Sequence, residues 1–237
     1  MAFDFVAGEI LLVDKEVSWT SFDAVKSIRG TLQKAHNLRR FKVGHAGTLD
    51  PLATGLLLIC TGKATKKIDS LQVQEKVYTG KIFLGATTPS SDLETEVDQE
   101  FPIDHITEKD VLNCAKEFEG DHVQTPPVFS AVKIDGKRAY EYARKDEEVK
   151  MKSRKVFIHH FKVISIDFPL VEFEIKCSKG TYIRSIARDF GTKLNSGAYL
   201  HLLRRTMIGD YSVNDALTVG QVKELIMQQD IVKKDEL

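Results

Sequence analysis

Short apolar runs alternate with polar turns along the chain in an order that predicts mixed α and β structure. Residues 10–13 read as a first strand, followed by Asp14-Lys15 and a polar turn. Thr20 or Ser21 is a suitable cap for a helix whose apolar face is Phe22, Val25, Ile28 and Leu32. Leu56, Leu57, Leu58, Ile59 and Cys60 form a continuous apolar run, the pattern of a strand buried on both faces. Residues 75–85 alternate strictly and place Tyr78, Gly80, Ile82 and Leu84 on one face. Residues 87–100 are polar and acidic and predict a mobile loop. Thr107 and Asp110 have the spacing of a capping box before a stripe of Val111, Leu112, Ala115 and Phe118 that stops at Gly120.

The second half continues in the same way. Pro126-Pro127 stiffens a loop, a strand follows, Asp135-Gly136 is a tight-turn signal, and residues 138–144 predict a short helix. Residues 156–168 and 170–177 alternate as two strands around Pro169. Gly180 breaks the second strand, Thr181 is placed to cap a helix with Ile183, Ile186, Ala187 and Phe190 inward, and Gly191 is read as its stop. Residues 199–208 end a last strand. Thr218 and Gln221 open an amphipathic helix through Val222, Leu225 and Ile226, and the tail after Gln229 is charged and expected to fray.

Composition narrows the partners. The chain of 237 residues has 34 Lys plus Arg and 34 Asp plus Glu, so a global basic excess is absent and any nucleic-acid face must come from segregated charge. Segregation is present. Residues 26–42 carry six Lys or Arg and no acid, and Lys63, Lys66 and Lys67 extend that character. Residues 92–121 carry eleven acids against Lys109 and Lys116, a surface expected to face away from any nucleic acid. Residues 133–162 carry ten Lys or Arg against five acids, with aromatic residues interleaved. Such runs serve equally as solvated faces or as phosphate contacts. Cys60, Cys114 and Cys177 are odd in number and lack a C-x-x-C spacing, which supports neither a disulfide framework nor a zinc site and points to a reducing compartment. The N-terminus lacks a basic region before its apolar run, and no run approaches a membrane span, so a cytoplasmic protein without membrane contact is expected. The terminal K-D-E-L is read as coincidence in a charged tail.

Residues 43–62, VGHAGTLDPLATGLLLICTG, run from a glycine-punctuated polar loop into the buried apolar strand. Pro51 restricts Asp50, so one carboxylate stands on a stiff loop anchored in a core. By physics alone Asp50-Pro51 reads either as an ordinary turn opener or as the mount of a reactive group.

The run GHAGTLDPLATG resembles the signature of the tRNA pseudouridine synthase B (TruB) family, whose catalytic aspartate falls at Asp50. Three further stretches match the same family in order: Lys76 with Tyr78; Ser130, Ala131, Lys133, Gly136, Tyr140, Ala143 and Arg144; and CSKGTYIRS followed by Leu203-Arg204-Arg205. The resemblance implies an α/β (α+β) fold, a mixed, largely antiparallel sheet with flanking helices and a central RNA-binding cleft. It implies one catalytic domain over residues 1–237 without the PUA domain many members carry, since only about thirty residues follow Ile208.

The resemblance also implies roles. Tyr78 and Leu203 would hold a flipped uracil, Tyr182 would lie near the reacting base, and Arg184 would pair with Asp50. His45, Lys76, Lys15 and Gly180 would belong to substrate binding. For His45 a plain loop position stays equally open. Turning uridine into pseudouridine breaks C1′–N1 and joins C5 to C1′ with no net redox change or hydrolysis, so no cofactor or metal is expected. Ionised Asp50 suits attack on C1′ or C6, or removal of the C2′ proton, and the choice stays open. The expected partner is the T-arm of tRNA, bound by a monomer with no obligatory protein partner. The alternatives are a dyskerin-like, guide-RNA-dependent synthase and a tRNA-folding chaperone without catalysis.

Overall fold

The helix cap predicted at Thr20 forms a full capping box. The Thr20 hydroxyl accepts from the Asp23 amide and the Asp23 carboxylate accepts from the Thr20 amide. In this computed structural model, which describes residues 3–145 and 147–235, the cap joins strand β1 (Ile10–Lys15) to helix α1 (Ser21–Ala35). Strands β2 (Val43–Ala46) and β3 (Thr54–Thr61) follow, then a 3-10 turn over Gly62–Lys67 that carries Lys63, Lys66 and Lys67, helix α2 (Ile68–Gln72) and strand β4 (Lys76–Leu84). Next come β5 (Ala86–Thr87), β6 (Gln99–Glu100), α3 (Glu108–Glu117), β7 (Gly120–Gln124), the hairpin β8 (Lys133–Ile134) and β9 (Lys137–Arg138), and α4 (Ala139–Ala143). The chain continues through β10 (Arg154–Asp167), β11 (Leu170–Cys177), α5 (Ile183–Lys193), β12 (Ala198–Ile208), β13 (Tyr211–Ser212), β14 (Leu217–Thr218) and α6 (Val219–Asp235). The strands build a mixed, largely antiparallel sheet with flanking helices, as expected from the sequence. No helix among the described residues is long and apolar enough to cross a membrane.

Two compact units make up the chain, and β4 and β12 each contribute to both. The first comprises Met1–Val77 and Arg204–Leu237. In it β1 lies between β14, to which it is parallel, and β3, to which it is antiparallel. Strand β2 pairs antiparallel with β3, and the end of β12 runs parallel to β3 with Arg205 opposite Gly55. Both faces of β3 are covered, as its apolar run predicts. Leu57 and Ile59 join Val25, Ile28 and Leu32 of α1 and Val222 and Ile226 of α6. Leu56, Leu58 and Cys60 join Leu71, Ile208 and Val213. Phe22, read as part of the inward face of α1, is exposed and lies under the Arg29 guanidinium instead. The Thr218–Gln221 box forms at the start of α6, whose helix continues past Gln229. Side chains from residue 230 onward, including the charged tail, lie outside the described residues.

The second unit is Tyr78–Leu203. Strands β7, β10 and β11 pair antiparallel, and α3 and α5 cover them with an aromatic core of Phe118, Phe161, Phe173 and Phe190. Asp135 (φ 49°) and Gly136 (φ 85°) make the left-handed turn that joins β8 to β9. Four local expectations change. Residues 88–92 are packed rather than open, because the Thr88 and Ser90 hydroxyls both donate to the Asp92 carbonyl and Ser91 accepts from Leu200. Leu112 is exposed, and Cys114 takes its place in the α3 stripe. Tyr182, not Thr181, is the N-cap of α5, since the Thr181 hydroxyl donates to the Ser178 carbonyl. Gly191 lies inside α5, where a Cβ would meet the Ala198 amide at 2.4 Å, so its glycine serves close approach rather than termination.

Candidate functional site

In the first unit the loop between β2 and β3 carries Asp50, half-buried, and three buried side chains hold its backbone. Arg205 of β12, 1% exposed, donates from Nη2 to the Gly47 carbonyl (3.1 Å), from Nη1 to Thr48 (3.3 Å) and from Nε to Leu56 (2.8 Å). The Ser21 hydroxyl at the start of α1 accepts from the Leu49 amide (2.8 Å) and donates to the Leu49 carbonyl (3.1 Å). Lys15, 0% exposed at the end of β1, donates to the carbonyls of Pro51 (3.3 Å), Glu16 (2.9 Å) and Trp19 (2.7 Å). The turn closes with the Ala53 amide on the Asp50 carbonyl (3.1 Å). A loop whose carbonyls are bound on every side has little freedom left, so its one acidic side chain is presented in a fixed direction.

Electrostatics link the same residues. Burial pushes the Lys15 ammonium down to about 8, the Asp50 carboxylate works in the opposite direction, and the Arg205 guanidinium adds to the lowering. The buried Lys15 ammonium thus stands in the field of both the Asp50 carboxylate and the Arg205 guanidinium. His45, on β2, is held below the usual imidazole range by burial, against a backbone hydrogen bond at Gly47, with Arg205 adding to the lowering. Its ring is therefore neutral at physiological pH. Lys76 is also buried, and its ammonium donates to the Gln72 and Gln74 carbonyls, both at 2.6 Å, at the C-terminal end of α2. Beside the loop, Arg204 forks onto the Asp14 carboxylate (2.7 and 3.0 Å) and reaches the Thr54 hydroxyl (3.4 Å).

The basic run predicted for residues 26–42 is mostly solvated. Lys26, Lys34, Arg39, Arg40 and Lys42 are exposed, and Arg29 is tied to the Val43 carbonyl. Arg40, Lys42, Lys63 and Lys66 line a cavity of about 270 Å³ with Phe41 and no acidic residue. That arrangement suits an anion.

In the second unit Arg184 sits in the first turn of α5 with its side chain 4% exposed. Its guanidinium donates to the Phe129 carbonyl (2.8 Å) and the Ser90 carbonyl (3.2 Å) and lies 3.5 Å from the Asp92 carboxylate. Tyr182 is fixed through its backbone by Gln124 of β7 and through its ring by the Arg154 guanidinium, 4.5 Å from the ring centroid. Gly180 (φ 85°) flanks the same Arg154, which a Cβ would approach to 3.6 Å. Gly180, Arg154 and Tyr182 therefore form one layer. Tyr78 and Leu203 are buried, at 8% and 9% exposure, on β4 and β12.

Sequence reasoning missed Arg205, Ser21, Asp92, Gln124 and Arg154. Leu203-Arg204-Arg205 shows two adjacent arginines but not which one turns inward, and Asp92 is hidden in an acidic run. Gln124 alone carried a readable hint, as an amide at the end of a strand before Pro126-Pro127.

Residues 33–183 match the family described as "TruB family pseudouridylate synthase (N terminal domain)". The chain is 53% identical over 93% of its length to the tRNA pseudouridine synthase B of Flavobacterium johnsoniae, covering 97% of that protein. It is 48% identical over 98% of its length to the enzyme of the same name from Parabacteroides distasonis, covering 99% of that protein. Among solved structures, a chain in the crystal structure of a Cbf5–Nop10–Gar1 complex superposes with a TM-score of 0.70 at 27% identity, over 98% of this chain and 57% of that one.

Proposed function

The chain belongs to the TruB family of pseudouridylate synthases, and on that premise we propose that it isomerises the T-loop uridine at position 55 of tRNA to pseudouridine, with Asp50 as the reacting carboxylate. One observation carries the assignment of Asp50: its loop is held at Gly47, Thr48, Leu49 and Pro51 by buried donors from β12, α1 and β1, while Asp50 itself is only partly buried. The chemistry needs a fixed carboxylate that meets a base taken out of its stack. Tyr78 and Leu203 hold the detached uracil, Tyr182 serves at the C5 proton, and Arg184 pairs with Asp50 to keep it ionised and oriented. His45, Lys76, Lys15 and Gly180 belong to the substrate-binding surroundings.

RNA affinity comes from segregated charge, chiefly the acid-free cavity lined by Arg40, Lys42, Lys63 and Lys66. The enzyme acts as a monomer in the cytoplasm. Identity of 53% with a protein named tRNA pseudouridine synthase B, along nearly all of both chains, supports tRNA as the substrate.

The test is tritium release from C5-labelled uridine in a tRNA transcript and in an isolated T-arm hairpin. Wild-type protein should release tritium from both without a guide RNA, and Asp50→Asn should release none while binding the hairpin with nearly unchanged affinity. Full turnover by Asp50→Asn overturns the role of Asp50. A strict need for a guide RNA overturns the substrate assignment.

A further inference from the structure

Arg205 carries none of the catalytic or substrate-binding roles proposed above, and it is the largest side chain in the described chain with less than 2% exposure. Burying a guanidinium costs several kcal/mol unless its donors are met and its charge is used. Its donors are met by carbonyls on both sides of the Asp50 turn: Gly47 and Thr48 before it, Leu56 after it. Backbone geometry is shaped to the same end. Arg205 pairs with Gly55, where φ is +104° and a Cβ would lie 2.3 Å from the Arg205 carbonyl oxygen. At Gly47 φ is +92°, and a Cβ would stand 3.7 Å from Arg205 Nη1. Gly55 thus lets the main chain of β3 close on that of β12, and Gly47 supplies a left-handed backbone at one of the carbonyls that Arg205 binds.

We propose that Arg205 is a positioning residue for Asp50: it ties the start of the loop to the strand that follows. The inference rests on Asp50 being the reacting group. A lysine at 205 keeps the charge but not the planar fork that serves three carbonyls. A methionine keeps most of the length and loses the charge.

The experiment compares Arg205→Lys, Arg205→Met and Asp50→Asn with wild type in single-turnover tritium release and hairpin binding. Arg205→Lys should lower kcat about 10- to 100-fold through misplacement of the carboxylate, with hairpin Kd within about 3-fold of wild type. Arg205→Met loses the fork as well and should lower kcat at least as far, again with hairpin Kd within about 3-fold of wild type. Wild-type kcat in folded Arg205→Lys or Arg205→Met overturns the positioning role. Should the Arg205 variants not fold, ¹⁵N NMR of the guanidinium decides. The Arg205 Nε–H signal should exchange slowly in wild type and shift in Asp50→Asn, and fast exchange or an unshifted signal overturns the inference. Turnover by Asp50→Asn itself indicts the reading of Asp50 and leaves the carbonyl clamp untouched.

Discussion

Gln124 and Tyr182 exchange two hydrogen bonds. Gln124 Oε1 accepts from the Tyr182 amide at 2.7 Å, and Gln124 Nε2 donates to the Tyr182 carbonyl at 3.0 Å. A fully buried amide on β7 thereby takes the place of a side-chain cap at the start of α5. Gln124→Ala leaves the Tyr182 amide without its partner, while the Tyr182 carbonyl keeps the Ile186 amide at 3.2 Å. Urea unfolding should show a loss of roughly 1–3 kcal/mol. Gln124→Glu keeps the acceptor for the amide and sets a carboxylate against the carbonyl, so it should be no better than alanine. A loss below about 0.5 kcal/mol in Gln124→Ala would show that the pair carries no stability.

Two helical glycines should respond to alanine with opposite signs. Nothing lies within 4 Å of a Cβ built at Gly30 in α1, so Gly30→Ala should stabilise by about 0.5–1 kcal/mol through helix propensity. At Gly191 in α5 the Cβ would meet Ala198 N at 2.4 Å and Ala198 Cβ at 2.6 Å. These are backbone neighbours with no room to yield, so Gly191→Ala should destabilise by about 1–3 kcal/mol or more. Thermal melts read both, and a matching sign for the pair would contradict the packing.

Two ion pairs of the second unit should separate by burial. Arg184 and Asp92 have side chains 4% and 8% exposed, whereas Arg144 and Glu94 are at 65% and 34%. Asp92→Asn removes the charge beside a buried guanidinium and should cost about 1–3 kcal/mol at both 0.1 M and 1 M salt. Glu94→Gln should cost about 0–1 kcal/mol in low salt and nothing resolvable in high salt. Equal salt sensitivity in the two variants would place Asp92 in solvent.

What could be read from the sequence was whatever repeats or punctuates. The run from Leu56 to Cys60 announced a strand covered on both faces, and two core clusters meet it. Asp135-Gly136 announced its left-handed turn, and Thr20, Thr107 and Thr218 announced their caps. Amphipathic spacing misplaced Phe22 and Leu112, because the apolar stripe of a helix has edges and one turn of phase decides which edge stays wet. Asp50 stood out through its loop. The residues that hold that loop did not, because Arg205, Lys15 and Ser21 come from three distant segments and act through backbone carbonyls that every residue possesses. Charge runs were equally mute about burial: Asp92 looks like any other acid of residues 92–121 until Arg184 is found beside it.

Lys15 gives the sharpest pH test, because stability and activity should move in opposite directions. Burial lowers its ammonium from an ordinary 10.5 to about 8, partly offset by Asp50. Between those values the unfolded chain binds a proton that the folded chain does not, so folding stability rises with pH through that window. Below about pH 8 both states are protonated, and the cost of burying the charge is present in full. Relative to Lys15→Met, which does not titrate, wild type should therefore gain about 1–2 kcal/mol between pH 8 and 9.5, read by urea unfolding at each pH. The ammonium supplies three donors to Pro51, Glu16 and Trp19, and the neutral amine supplies two, so one carbonyl must be released. Pro51 has the longest of the three bonds and adjoins Asp50, which makes it the one to go. Turnover should accordingly fall above about pH 8 with hairpin affinity unchanged, and Arg205→Met, which removes a cation that depresses Lys15, should carry that alkaline limb to higher pH. A kcat flat to pH 9.5 together with a rising stability difference would separate the proton from the reaction and leave Lys15 as a purely structural clamp.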